Sequence, residues 1–190
     1  MQNSPYSLIA ELDKARVAEG SLPPVHLWHP ESETDINMEI RSDGTWFYEG
    51  GEIKRPRLIK LFASVMRREG DEYFLVTPVE KCRIQVCDVP FMAVLLEEEQ
   101  VDGEHTLKLV TNMGDEVRLS KQNSLRVEID AETQEPGLYI TVRDDLDARL
   151  NRNVYYQLVE LLEQQEYQGE SWQGVRSAGD FLPIIREREL

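Results

Sequence analysis

A chain of 190 residues, 41% hydrophobic and 30% charged, carries enough apolar material for a folded core, so neither disorder nor a membrane span is the default. Its 36 acids and 21 bases give a formal charge of -15, which repels nucleic acid and anionic membranes beyond the screening length, so neither is expected as a partner. No stretch approaches the roughly 20 apolar residues of a membrane helix, and the start lacks the basic-then-apolar pattern of a secretion signal, so the expected location is cytoplasmic.

Ser4 can cap a first helix with Pro5 in its first turn and Leu8, Ile9, Leu12 and Ala15 on one stripe, ended by Gly20. Pro23, Pro24 and Pro30 then forbid regular helix and predict an extended linker. Met38 and Ile40 alternate with polar neighbours, Ser42, Asp43 and Gly44 supply turn chemistry, and Trp46, Phe47 and Tyr48 follow, which predicts a hairpin. A second turn is expected at Gly50 and Gly51. Pro56 opens a helix on which Leu58, Leu61, Phe62 and Val65 recur at helical spacing, Ile59 and Met66 widen the stripe, and Gly70 stops it.

Strands are expected at 72–77, 80–87, 91–98, 105–111, 116–120, 125–129 and 138–143, with turn signals at Asp102–Gly103, at 112–115 and at Pro136 with Gly137. Regular spacing of short antiparallel strands argues for a meander that curls into a partial barrel. Asn151 or Asn153 would cap a helix carrying Val154, Tyr155, Leu158, Leu161 and Leu162, which plugs or flanks that barrel. The expected fold class is therefore α+β: a small domain over residues 1–78 with an N-terminal helix, a hairpin and a second helix, then a strand meander with a C-terminal helix over 79–190. A shift of 97 residues aligns two strand-to-helix passages, placing Ile53 on Leu150, Arg55 on Arg152, Leu61 on Leu158 and Val65 on Leu162. A true duplication and the easy mutual likeness of amphipathic helices both explain that match. If it is a duplication, a cleft between the halves is the natural ligand site.

Catalytic chemistry lacks a visible core. Cys82 and Cys87, five apart on one strand, point to opposite faces, which argues against a disulfide or a shared metal. His26, His29 and His105 lack a third ligand, so no metal is expected, and no cofactor motif is present. Asp144, Asp145 and Asp147 lack the glycine and glutamate of a calcium loop and suit a solvated turn or the start of a helix.

Basic residues are the more informative feature. Lys54, Arg55, Arg57, Lys60, Arg67 and Arg68 form an acid-free stretch that can focus a small anion even on an acidic globule. Arg57, Lys60, Arg67 and Arg68 also suit an ordinary solvated helix face, whereas Arg55 stands at the start of the helix beside its repeat partner Arg152. Lys81 and Arg83 share a strand face opposite Cys82 and Ile84, and Arg143 offers a guanidinium fork for phosphate oxygens. Tyr155 and Tyr156 could present a ring, and Thr77, Thr111, Asn112 and Ser177 short hydrogen-bonding groups, although such residues more often satisfy nearby backbone.

The segments LVTPVEKCR (75–83), LVTNMGD (109–115) and RNVYY (152–156), set within an ordered match from Met38 to about Ile184, resemble an uncharacterised bacterial family, domain of unknown function 1285. The resemblance implies a duplicated core, a C-terminal half like a pleckstrin homology fold, a nucleotide-like ligand in a pocket at the domain interface, and a role in signal transduction. The leading expectation is thus a non-enzymatic sensor of a small anionic ligand, with Lys81, Arg83, Arg143 and Arg152 facing phosphate and Arg55 among the ligand-binding residues. The alternative is a protein-protein interaction module without a small-molecule ligand. A hydrolase or transferase using Glu80 or Asp88 as general base ranks last, because no nucleophile or metal accompanies them.

Overall fold

The structure is a computed structural model that describes Ala10, residues 22–129 and residues 134–189. The helix expected between Ser4 and Gly20 lies, apart from Ala10, outside the described residues. The chain divides into two compact units, Met1–Pro90 and Phe91–Leu190.

In the first unit, strands β1 (Ser32–Ile40), β2 (Trp46–Tyr48) and β3 (Gly51–Glu52) precede helix α1 (Pro56–Ser64), and β4 (Met66–Glu69), β5 (Glu72–Val76) and β6 (Glu80–Val86) follow it. The six strands form one sheet in the order β3-β2-β1-β6-β5-β4. All neighbours are antiparallel except β1 and β6, which run parallel at the centre. Trp46, fully buried on β2, stacks on Phe62 of α1 with ring centroids 6.3 Å apart, and this contact seats the helix against apolar side chains of the sheet. The proline-rich segment is tied down: Val25 is buried in a short 3-10 turn, and Arg67 of β4 donates to the carbonyls of Val25 at 3.1 Å and Trp28 at 2.7 Å.

The second unit carries β7 (Phe91–Val101), β8 (Glu104–Thr111), β9 (Glu116–Arg118), β10 (Arg126–Ile129), β11 (Pro136–Arg143) and β12 (Leu146–Leu150), then α2 (Arg152–Glu160), then β13 (Glu163–Tyr167), β14 (Glu170–Ser177) and β15 (Asp180–Arg186). The first six of these strands form a sheet ordered β10-β11-β12-β7-β8-β9, with β7 and β12 parallel, and the last three form a separate antiparallel sheet. Read from its other edge, the larger sheet repeats the strand order of the first unit. The helix differs in position: α1 falls between the third and fourth strands of its sheet, whereas α2 follows the sixth. The 97-residue shift also has a structural counterpart, because each helix leads into three consecutive antiparallel strands.

These facts correct the expected fold class. The described chain is mostly β, with three sheets and two α-helices, rather than an α+β fold built on an N-terminal helix. The meander does not curl into a partial barrel capped by a final helix; it lies in open sheets, each with two edges, and α2 is followed by three more strands. Strand β6, which the 78/79 division assigned to the second domain, pairs with β1 and β5 inside the first sheet. Pro78 thus belongs to a hairpin turn. Helix α1 stops at Ser64 instead of running to Gly70, because Met66–Glu69 pairs residue for residue with β5, and Gly70 (φ +61°) serves the turn between them.

Candidate functional site

Lys81 and Arg83 lie on the outer face of the first sheet, with Cys82 and Ile84 buried on the opposite face. Both cations are already matched. The Lys81 Nζ is 2.8 Å from Glu69 and 2.9 Å from Glu33, and Arg83 reaches Glu33 at 2.6 Å, Asp35 at 3.0 Å and Glu72 at 2.9 Å. The ammonium also sits 4.2 Å from the centroid of the Phe74 ring. Hydrogen bonding to Lys81 holds the Glu69 carboxyl below its ordinary value, and Glu69 followed by Glu33 holds the lysine above its own. Since Lys81 and Arg83 face Glu33, Asp35, Glu69 and Glu72, an incoming anion would have to displace carboxylates from this face.

Thr77, fully buried at the end of β5, has its hydroxyl committed to the turn: it accepts from the amides of Val79 at 3.3 Å and Glu80 at 3.1 Å and donates to the Glu80 carbonyl at 3.2 Å. Thr111, at the end of β8, repeats the device. Its Oγ1 accepts from Met113 at 3.2 Å and Asp115 at 3.1 Å and donates to the Asp115 carboxylate at 3.2 Å. Asn112 clamps β7, its amide donating to the Met92 carbonyl at 2.8 Å while its side-chain oxygen accepts from the Met92 amide at 3.1 Å. Arg143 joins this turn with Nε 3.8 Å from Asp115 and its guanidinium 5.0 Å from the Phe91 ring. The structure therefore brings Thr111, Asn112 and Arg143 together, in a turn whose polar groups answer one another.

Asn151, and not Asn153, caps α2 by accepting from the Val154 amide at 2.8 Å. Arg152 then starts the helix and folds over Tyr156, its guanidinium 5.7 Å from the ring, and Tyr155 meets Tyr156 edge-on at 5.8 Å. Arg152 and Tyr156 are exposed, Tyr156 52% accessible, and Tyr155 is half-buried beside them. Ser177 is elsewhere and buried. It donates to the Leu119 carbonyl at 2.7 Å and accepts from the Leu107 amide at 2.9 Å, bracing β14 against the larger sheet.

Arg55 takes the position just before α1 in extended conformation, and Arg57 and Lys60, one turn apart, stand exposed on the helix. None of the three has a carboxylate partner among the described residues. No side chain caps the amides at the start of this helix. Arg57 and Lys60, assigned from sequence to a solvated helix face, thus lack the carboxylate partners that Lys81, Arg83 and Arg143 have. The available signal was the acid-free run around them. Among the described residues, no group of three His, Cys, Asp or Glu side chains could hold a metal ion, and no helix is long and apolar enough to cross a membrane. Both cysteines are free thiols, Cys82 buried and Cys87 exposed.

Residues 23–89 match the N-terminal domain of the domain of unknown function DUF1285, and residues 90–184 match the C-terminal domain of the protein of unknown function DUF1285. The chain belongs to the DUF1285 family. A crystal structure of a DUF1285 family protein from Silicibacter pomeroyi DSS-3 is similar, with a TM-score of 0.80 and 38% identity over 93% of this chain and 94% of that one. A DUF1285 family protein from Shewanella baltica OS155 is similar with a TM-score of 0.52 and 29% identity, over 66% of this chain and 91% of that one. No curated protein matches the chain. The change from one family domain to the next, at 89/90, agrees with the division into compact units after Pro90.

Proposed function

We propose that this DUF1285 protein is a non-enzymatic sensor that binds a small anion of the phosphate class, such as the phosphate-bearing end of a nucleotide, and that the first turn of α1 receives it. One observation carries this reading: on a chain of charge -15, Arg55, Arg57 and Lys60 are exposed cations without carboxylate partners among the described residues. Unopposed cations hold a local positive potential, to which the uncapped helix amides add. Of the other proposed phosphate ligands, Lys81, Arg83 and Arg143 must first give up Glu33, Asp35, Glu69, Glu72 or Asp115, while Arg152 is engaged with Tyr156 on the second unit. Guanidinium groups also suit phosphate oxygens through paired donors.

Calorimetric titration with pyrophosphate and with ATP at low ionic strength tests the proposal. Binding that weakens about tenfold or more in Arg55→Ala/Arg57→Ala, weakens with added salt, and survives Lys81→Ala is the expected result. Failure of both probes to bind, or equal binding by the double variant, would overturn it.

A further inference from the structure

We infer that the second unit holds a separate binding site for a small organic ammonium compound, in a cleft between the start of β8 and the β14–β15 hairpin. The cleft has a volume of about 310 Å³, near the lower end for small-molecule sites. Its apolar lining comes from Leu107 and Val175, each 1% exposed, and from Leu161, just beyond α2. The rim is acidic. Glu104 has no cation partner among the described residues, and Glu163 shares Arg176 at 3.0 Å while that arginine also donates to Gln165 at 2.7 Å.

The hairpin turn keeps the Glu104 carboxylate at the rim. Ala178 donates its amide to the His105 carbonyl at 2.8 Å, which docks the turn on β8. A Cβ added to Gly179 would stand only 3.1 Å from the Glu104 carboxylate, so the missing side chain leaves room for that group. Ser177 contributes no free hydroxyl, since its bonds go to Leu119 and Leu107. A carboxylate without a counter-ion above an apolar floor matches a ligand with an ammonium head and an apolar body. The head would form charge-assisted hydrogen bonds with Glu104, the body would cover the floor, and the negative field of the molecule would draw such cations and repel anions.

The test uses phenethylamine, with phenethyl alcohol and 3-phenylpropionate as uncharged and anionic counterparts, followed by amide NMR of the full chain. Saturable shifts at Leu107, Ser177 and Gly179 with the amine, weakened about tenfold in Glu104→Gln, are expected. Glu104 is exposed, and the unliganded spectrum of the variant reports whether the fold is kept. The inference is overturned if the amine gives no saturable shift, if the shifts map elsewhere, if either counterpart binds as tightly, or if Glu104→Gln leaves the affinity unchanged.

Discussion

Thr77 and Thr111 each close an LVT triplet at the end of a strand, and each turns its hydroxyl back onto the amides of the following turn. Short hydroxyl side chains compete well for backbone partners, and here each satisfies two amides of a partly buried turn. Thr77 is fully buried and Thr111 is 3% exposed, so removing the hydroxyl takes away a partner these amides have from within the fold. Thr111→Val should therefore cost about 1 kcal/mol in a urea unfolding titration, although the valine fills nearly the same volume. A loss below a few tenths of a kcal/mol would mean the turn amides find other partners. The residue types and their places at strand ends were legible in the sequence. Their partners were not, because a threonine before a turn reads alike whether it faces ligand or backbone.

At the scale of elements, most strands of the meander lie within a residue or two of their expected places, as with 72–77 against Glu72–Val76 and 138–143 against Pro136–Arg143. Period-two alternation and turn residues are local signals, which explains that success. Local signals also misled. Val65 and Met66 extend the apolar stripe of α1, yet β4 forms there because pairing with β5 outweighs a weak helical preference. Strand β13 (EQQEY) carries no fully buried position and so no alternation to read, and β14 and β15, which bury Val175, Phe181 and Leu182, were not expected either. Their hairpins rely on turn geometry instead. Ala178 (φ +51°) and Gly179 (φ +77°) form the β14–β15 turn, a left-handed pair that disfavours side chains. Gly179→Ala should lower the thermal midpoint through about 1–2 kcal/mol of backbone strain and its clash with Glu104, whereas Ala178→Gly should leave the midpoint unchanged or raise it. Equal loss in both would show that the turn is held by its contacts and not by its dihedral angles.

Across the whole molecule, charge is distributed so that many bases on the sheet faces are consumed by acids. Lys108 is held by Glu97 at 2.9 Å and Glu116 at 3.2 Å, and Arg118 by Glu99 at 2.5 Å, as Lys81 is by Glu69 and Glu33. The Glu69 carboxyl, depressed below its ordinary 4.5, contributes stability that is present above that value and lost as pH falls through its lower folded value. Lys81, raised above 10.5, contributes stability that is full below that value and lost as pH rises through its higher folded value. The contribution of this pair is thus complete between the two ordinary values, and Glu69→Gln should lower thermal midpoints there and flatten part of the acid fall. Partial exposure and screening keep the change small, of the order of 1 kcal/mol or less. An acid limb identical to that of the parent protein would contradict this assignment.

Composition and periodicity alone determined that the chain folds, that it is acidic with one acid-free basic stretch, and where most strands and turns fall, since each of these is a property of neighbouring residues. Tertiary structure decided which strands meet: β1 beside β6 and β7 beside β12, both parallel pairs between segments far apart in the chain. It also decided which cations remain unopposed. Lys81 and Arg83 are paired with Glu33 and Asp35, some 50 positions earlier, while Arg55, Arg57 and Lys60 have no carboxylate partner among the described residues. Coulombic pairing depends on distance through space, and no local pattern encodes it.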